Sequence, residues 1–285
     1  GNTIPFIARY RKEKTGEMDE TTLRNLSERL QYLRNLEERK QEVIRLIDEQ
    51  GKLTEELQQA ITKADKLQVV EDLYRPYKQK RKTRASVAKE KGLEPLSEWL
   101  LSQPSSGDPE AEASRFVDEE KGVETSQDAL QGAMDILAER ISDDPSIRAW
   151  VRQFSYNQGA MVTEAKDAEA DSVYEMYYEY KEPVKRLPSH RILAINRGEK
   201  EEFLKVQVEV PVDRILEHIQ RQVIKGNSVV REILEAVIEE ANKRLIAPSM
   251  ERDVRNKLAK KTEEQAKKIF SENLRNLLLQ PPVHG

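Results

Sequence analysis

Leu23, Leu26, Leu30, Leu33, Leu36, Val43, Ile44 and Ile47 recur at intervals of mostly three and four residues. The positions between them are mostly Arg, Glu and Gln. That spacing draws one apolar stripe along a helix of about 30 residues, roughly 45 Å long. Asp19 supplies the acceptor that the first helical amides need. Gly51 supplies the left-handed stop. The same period governs most of the chain beyond Gly51. Thr54 opens a helix carrying Leu57, Ile61 and Ala64, and Val69, Val70, Leu73 and Tyr74 mark another that ends before Pro76. Short helices fit 85–91 and 93–102. Ala129, Leu130, Ala133, Met134, Ile136, Leu137 and Ile141 line one that starts at Ser126. Pro145 interrupts it, and a further helix covers about 146–156. Ser189 can cap a helix that carries His190. Val230, Ile233, Leu234, Val237, Ile238, Ala241 and Leu245 form one stripe, Pro248 breaks it, and Val254, Leu258, Ala266, Ile269, Phe270, Leu274 and Leu277 form the next.

Two stretches depart from this period. In FLKVQVEV (203–210), Leu204, Val206, Val208 and Val210 alternate with polar residues, the pattern of a half-buried strand. A lone strand cannot satisfy its backbone, and GAMVTEA (159–165) is the expected partner. Residues 103–122 are rich in Ser, Pro, Gly and acid, and read as a solvated connection with one helical turn. The expected fold class is therefore mainly α, a multi-helix scaffold with long helices and a small two-stranded β element. Its divisions are an N-terminal helical region (1–102), an acidic helical middle (103–182) and a helix–strand–long-helix region (183–285).

Composition bears this out and narrows the function classes. Charged residues make up 35% and apolar ones 37% of 285 residues, with 11 Gly and 12 Pro, so long helices meet few breakers. The absence of Cys excludes a disulfide framework and a thiolate zinc site, and fits a reducing cytosol. No apolar run approaches the roughly 20 residues that span a bilayer, and no signal-peptide pattern opens the chain. It starts Gly1-Asn2 and ends PPVHG, which reads as a connector, so both ends are expected to be cuts in a longer protein.

The catalytic inventory is thin. His190, His218 and His284 form no metal-spaced pair, and no Walker A loop, GxSxG or GxGxxG occurs. With 52 carboxylates, doublets such as Asp143-Asp144 arise by chance. No cofactor, no metal and no hydrolase, transferase or nuclease activity are expected. Tyr174, Tyr177, Tyr178 and Tyr180 could stack bases, but spacings of three and four place Tyr174, Tyr177 and Tyr178 on one helical face, which favours packing.

One feature carries a sharper reading. The formal net charge is -4, yet between Arg75 and Lys91 eight basic residues face one acidic residue, Glu90. Residues 1–100 carry 21 Lys/Arg against 18 Asp/Glu, 101–182 carry 7 against 19, and 183–285 carry 20 against 15. Lys78, Lys80, Arg81, Lys82 and Arg84 suit phosphate contacts that do not read bases. The alternative is a basic segment docked on the acidic middle of its own chain. Composition does not separate the two.

TIPFIARYRKEKTG (3–16), VEDLYRPYKQKRKTRASVAKEKGLEPL (70–96), RLPSHRILAINRGEKE (186–201) and the tail SENLRNLLLQPPVHG (271–285) resemble the Tex family of bacterial transcription accessory proteins. The resemblance is weakest over 103–185. It implies a cytoplasmic, multidomain nucleic-acid-binding protein related to eukaryotic elongation factors that travel with RNA polymerase. In that family a helical N-terminal region, part of it helix-turn-helix-like, precedes an RNase-H-like module, helix-hairpin-helix elements and an OB-fold RNA-binding domain. This chain corresponds to the first region alone. The resemblance tips the basic segment toward phosphate contact, weak in this fragment, with RNA polymerase or other transcription proteins as further partners.

Overall fold

The computed structural model describes residues 3–279. His284 and the connector at 280–285 lie outside the described residues. The chain divides into two compact units, 1–79 and 80–285.

The first unit is built on α3 (Glu20–Asp48), preceded by α1 (Ile4–Tyr10) and α2 (Lys12–Thr15), and followed by α4 (Glu55–Lys63) and α5 (Leu67–Tyr74). Asp19 Oδ1 accepts from the Thr22 amide at 2.7 Å, and Gly51 adopts φ 66° beyond the helix end. Only the second half of the leucine stripe is core: Leu36, Val43 and Ile47 are buried with Ile61, Ala64, Val70 and Tyr74. Leu26, Leu30 and Leu33 are 54%, 46% and 43% exposed. Arg39 ties α3 to α5, its Nε donating to Glu71 Oε1 at 2.6 Å and Nη2 to Oε2 at 3.1 Å. Lys40, 8% exposed, donates to the Thr62 carbonyl at 2.8 Å, the partner its burial requires.

In the second unit α6 (Arg84–Glu90), α7 (Glu94–Ser102), α8 (Pro109–Ser114) and α9 (Ser126–Asp143) come first. Then come α10 (Pro145–Gln158), β1 (Ala160–Ala165), β2 (Glu179–Pro183), α11 (Ser189–Lys200), β3 (Leu204–Glu209), α12 (Val212–Val223), α13 (Arg231–Ala241) and α14 (Ala247–Leu278). Helix α9 runs through the larger core, with Ala129, Ala133, Leu137 and Ile141 against residues of α6, α7 and α13. Gly132 permits this approach: a Cβ there would lie 2.3 Å from Leu93 Cδ1 and 3.3 Å from Ala88 Cβ. A second core joins the sheet to α11 and α14 through Met161, Ile192, Ile195, Leu204, Val254 and Leu258.

The fold is mainly α, as the periods require. Strands β1 and β3 pair antiparallel, with Thr163 opposite Val206. The sheet has a third strand, however, in the order β2-β1-β3. Segment EYKEP leaves Glu179, Lys181 and Pro183 exposed and carries no apolar alternation, the habit of an edge strand that discourages further pairing. Of the tyrosines, Tyr174 and Tyr177 are buried, and Tyr178 and Tyr180 pack partly against the same core. They pack as expected, but from a short 3-10 turn and β2, not from a helix face.

Two helix-end expectations fail. Ser189 does not cap α11; Pro188 holds that position, and the Ser189 hydroxyl donates to Gln265 on α14. Pro248 does not break the helical run. A π-helical turn, Asn242–Ile246, joins α13 to α14 and leaves Pro248 in the first turn of the new helix, where its missing N–H costs no bond. The stripe of α14 is core only at Val254 and Leu258; Ile269, Phe270, Leu274 and Leu277 are 48%, 68%, 44% and 64% exposed. No helix among the described residues is long and apolar enough to cross a membrane.

Candidate nucleic-acid interface

A 3-10 turn, Arg75–Tyr77, comes after α5, and the chain then leaves regular structure until Thr83. Thr83 caps α6 reciprocally: its Oγ1 accepts from the Ser86 amide at 3.0 Å, and Ser86 Oγ accepts from the Thr83 amide at 2.8 Å. Lys78, Lys80, Arg81, Lys82 and Arg84 thus lie on the irregular stretch and the first helical residue after it.

They do not share one fate. Lys80 is spent within the fold: its ammonium pairs with Asp143 and sits 3.5 Å from Glu139 Oε1, both on α9. Its side chain is 27% exposed and that of Asp143 only 7%. Arg84 is intermediate, with its guanidinium 3.8 Å from Glu240 while its side chain stays 62% exposed. It borders a cluster in which Arg244 donates to Asp135 at 3.0 Å and to Glu240 at 2.9 Å. Burial pushes the Asp135 carboxyl above its usual range, against the pull of Arg244 and Arg84. Lys78 at the end of the first unit, and Arg81 and Lys82 at the start of the second, are exposed and make no ion pair among the described residues. Of the two sequence alternatives, docking on the acidic middle is therefore realised at Lys80, while Lys78, Arg81 and Lys82 take no part in it.

Lys82 and Arg84 border an open groove of about 470 Å³ between α6 and α9, floored by Ala88, Leu93 and Gly132. Lys91 lines it too, while its Nζ donates to the Gly122 carbonyl at 2.7 Å. Lys91 closes the basic run but is not among the five candidate cations. Its signal is the spacing Arg84, Val87, Lys91, one face of a helix.

Other candidates resolve into structural roles. Asp144 caps α10, accepting from the Ser146 and Ile147 amides at 2.9 and 3.0 Å, and Asp143 holds Lys80. Tyr174 donates to Glu201 at 2.7 Å. The His218 ring stacks on Trp150 with centroids 3.6 Å apart, and His190 is exposed. Among the described residues no group of three His, Asp or Glu side chains is placed to hold a metal ion.

A family described as Tex central region-like matches residues 104–270, and one described as Tex-like protein N-terminal domain matches 1–48. The chain is 55% identical, over its whole length, to the Bacillus subtilis protein YdcI, of which it covers 40%. It is 38% identical over 99% of its length to transcriptional accessory protein Tex of Neisseria gonorrhoeae, covering 38% of that protein. It is 32% identical over its whole length to human S1 RNA-binding domain-containing protein 1, covering 30%. The chain thus spans about two fifths or less of these relatives' own length. Because the central-region match alone takes in more than half of its residues, the chain belongs to the Tex family of transcriptional accessory proteins.

Proposed function

We propose that this chain acts as a helical scaffold of a cytoplasmic transcription accessory factor and adds weak, sequence-independent nucleic-acid contacts through Lys78, Arg81 and Lys82. The observation that carries the reading is the division of labour in the basic segment. Lys80 is consumed by Glu139 and Asp143, while its three neighbours have no counter-charge among the described residues. Unpaired cations on an irregular segment meet phosphates; they do not enter a groove in fixed register, so they position without reading bases. Lys80 anchors, and Arg84 contributes from the edge of the groove. The name of the human relative, S1 RNA-binding domain-containing protein 1, is consistent with a nucleic-acid role. On this reading the chain is not an enzyme and needs no cofactor.

The test is equilibrium binding to two duplexes and two single strands of unrelated sequence. Equal affinity within each form is expected, together with clear weakening by Lys78→Gln/Arg81→Gln/Lys82→Gln. A strong preference for one sequence, or unaltered binding by the triple variant, would sink the reading. A second reading, docking on RNA polymerase or another transcription protein, rests on the exposed Leu26, Leu30 and Leu33 of α3. Capture of purified polymerase that is lost on changing these leucines to Ser would favour it.

A further inference from the structure

The motif around 186–201 plays no part in the role proposed for the 78–84 segment, and it borders a second basic surface. On α14, Lys257, Lys261 and Lys268 recur so that about three helical turns separate the first from the last, an axial rise of roughly 16 Å along one face. The Lys257 ammonium rests 3.5 Å from the Tyr156 ring centroid, and Lys261 Nζ lies 3.5 Å from the Leu187 carbonyl. Leu187 ends a 3-10 turn, Val184–Arg186, that brings up Lys185 and Arg186. Val184 and Leu187 are both fully buried, so the turn is pinned at its apolar ends and its two cations stay at the surface. The Ser189 hydroxyl bonds Gln265, fastening the next residues to the same helix.

The cations here contrast with their neighbours. Lys267 is spent on Glu263 at 2.6 Å, Arg191 on Glu182 at 2.7 Å, and Arg255 on Glu199. Lys185, Arg186, Lys261 and Lys268 are exposed and make no ion pair among the described residues. One carboxylate, Glu264, shares the face between Lys261 and Lys268.

We propose that Lys185, Arg186, Lys261 and Lys268 form a second contact surface for a nucleic-acid sugar–phosphate backbone. A line of like charges held by buried apolar anchors raises the local concentration of a polyanion. The surface offers no base readout, because its lysines are point charges on flexible stems. A membrane would require large apolar side chains beside the basic ones; the exposed ones on α14 start at Ile269, next to Lys268 alone, and none adjoins Lys261 on that helix or lies in the 184–187 turn. A protein partner would require a desolvated apolar centre, and none of the face residues is a large hydrophobic. The surface shares no residue with the 78–84 segment and stands whether or not that segment binds.

The experiment measures the slope of log affinity against log salt for fluorescein-labelled duplex DNA and single-stranded RNA. Four proteins are compared: the unaltered chain, Lys185→Gln/Arg186→Gln/Lys261→Gln/Lys268→Gln, Glu264→Lys, and Lys78→Gln/Arg81→Gln/Lys82→Gln. The quadruple variant is expected to flatten the slope by about 0.9 per lost contact on the duplex and about 0.7 on the single strand. Glu264→Lys is expected to steepen it by about one contact, a gain that misfolding cannot mimic. An unchanged slope in the folded quadruple variant, or an unchanged slope in Glu264→Lys, overturns the proposal even if the 78–84 variant binds weakly. A flattened slope in the 78–84 variant alone leaves the first reading standing and removes this one. Binding to phosphatidylserine vesicles that the quadruple variant loses, with nucleic-acid binding intact, also overturns it.

Discussion

Gly198 sits in α11 where the helix runs against the sheet, and the close approach there can be worked into a number. A methyl at Gly198 would lie 2.7 Å from Leu204 Cδ1, 3.0 Å from its Cγ and 3.1 Å from Tyr174 Cδ1. Leu204 is fully buried and Tyr174 is 4% exposed, so neither has free space to move into. Overpacking of this kind costs about 1–3 kcal/mol. Ala gains back about 1 kcal/mol over Gly inside a helix. Gly198→Ala should therefore destabilise by about 1 kcal/mol. Leu204→Ala empties the same site and should cost about 2–5 kcal/mol. In the double variant the new methyl enters the space the leucine left, and the two closest contacts, both with Leu204, disappear. The double variant should then be more stable than the sum of the singles predicts, by more than about 1 kcal/mol. Urea unfolding followed by tryptophan fluorescence reads this unit alone, because Trp99 and Trp150 are the two tryptophans and both lie in 80–285. Additivity within about 0.5 kcal/mol would mean that the two sites do not touch, and would refute the packing argument.

Lys80→Gln removes a partner of the nearly buried Asp143 and should destabilise the second unit by about 1–2 kcal/mol, less than a fully buried pair because Lys80 is partly solvated; melting followed by tryptophan fluorescence should fall by several degrees. Desolvation, aided by Arg221, holds the His218 imidazole below its usual 6.5. The unfolded chain then binds that proton more readily, so this contribution to stability is present above 6.5 and lost as pH falls below it. His218→Phe, which can keep a ring stacked on Trp150, should remove that loss between neutral and mildly acidic pH, and a pH profile identical to the unaltered protein would contradict the assignment. Phe270→Ser/Leu274→Ser/Leu277→Ser should leave the unfolding free energy, read by urea titration, within about 0.5 kcal/mol per change, since these residues are exposed, whereas Leu258→Ala should lower it by about 2–5 kcal/mol.

The sequence showed periods well and partners poorly. Asp19, Gly51 and the strand alternation at 204–209 act through neighbours in sequence, so local chemistry placed them. The strand at 179–183 was invisible because its side chains are those of an exposed edge; only its pairing with β1, Met161 opposite Glu182, makes it a strand. The leucine stripe of α3 has one spacing throughout, yet the residues around Leu36 to Ile47 find α4 and α5 while Leu26 to Leu33 do not. A period states which face is apolar and leaves open what covers it. Pro248 misled for a related reason: a proline after a π-helical turn meets no bond it must break. In the basic segment the five cations are equivalent by composition. Glu139 and Asp143, about 60 residues away in sequence, separate Lys80 from Arg81 and Lys82, and no local rule could have named them.

The central claim is that Lys78, Arg81 and Lys82 meet phosphates while Lys80 holds the fold. The most direct measurement is the slope of log affinity against log salt on duplex DNA for Lys78→Gln/Arg81→Gln/Lys82→Gln beside Lys80→Gln. The account predicts that the triple variant flattens the slope by about 0.9 for each contact it loses and keeps its melting midpoint, while Lys80→Gln keeps the slope and melts earlier. A triple variant that melts earlier and binds with an unaltered slope would contradict it.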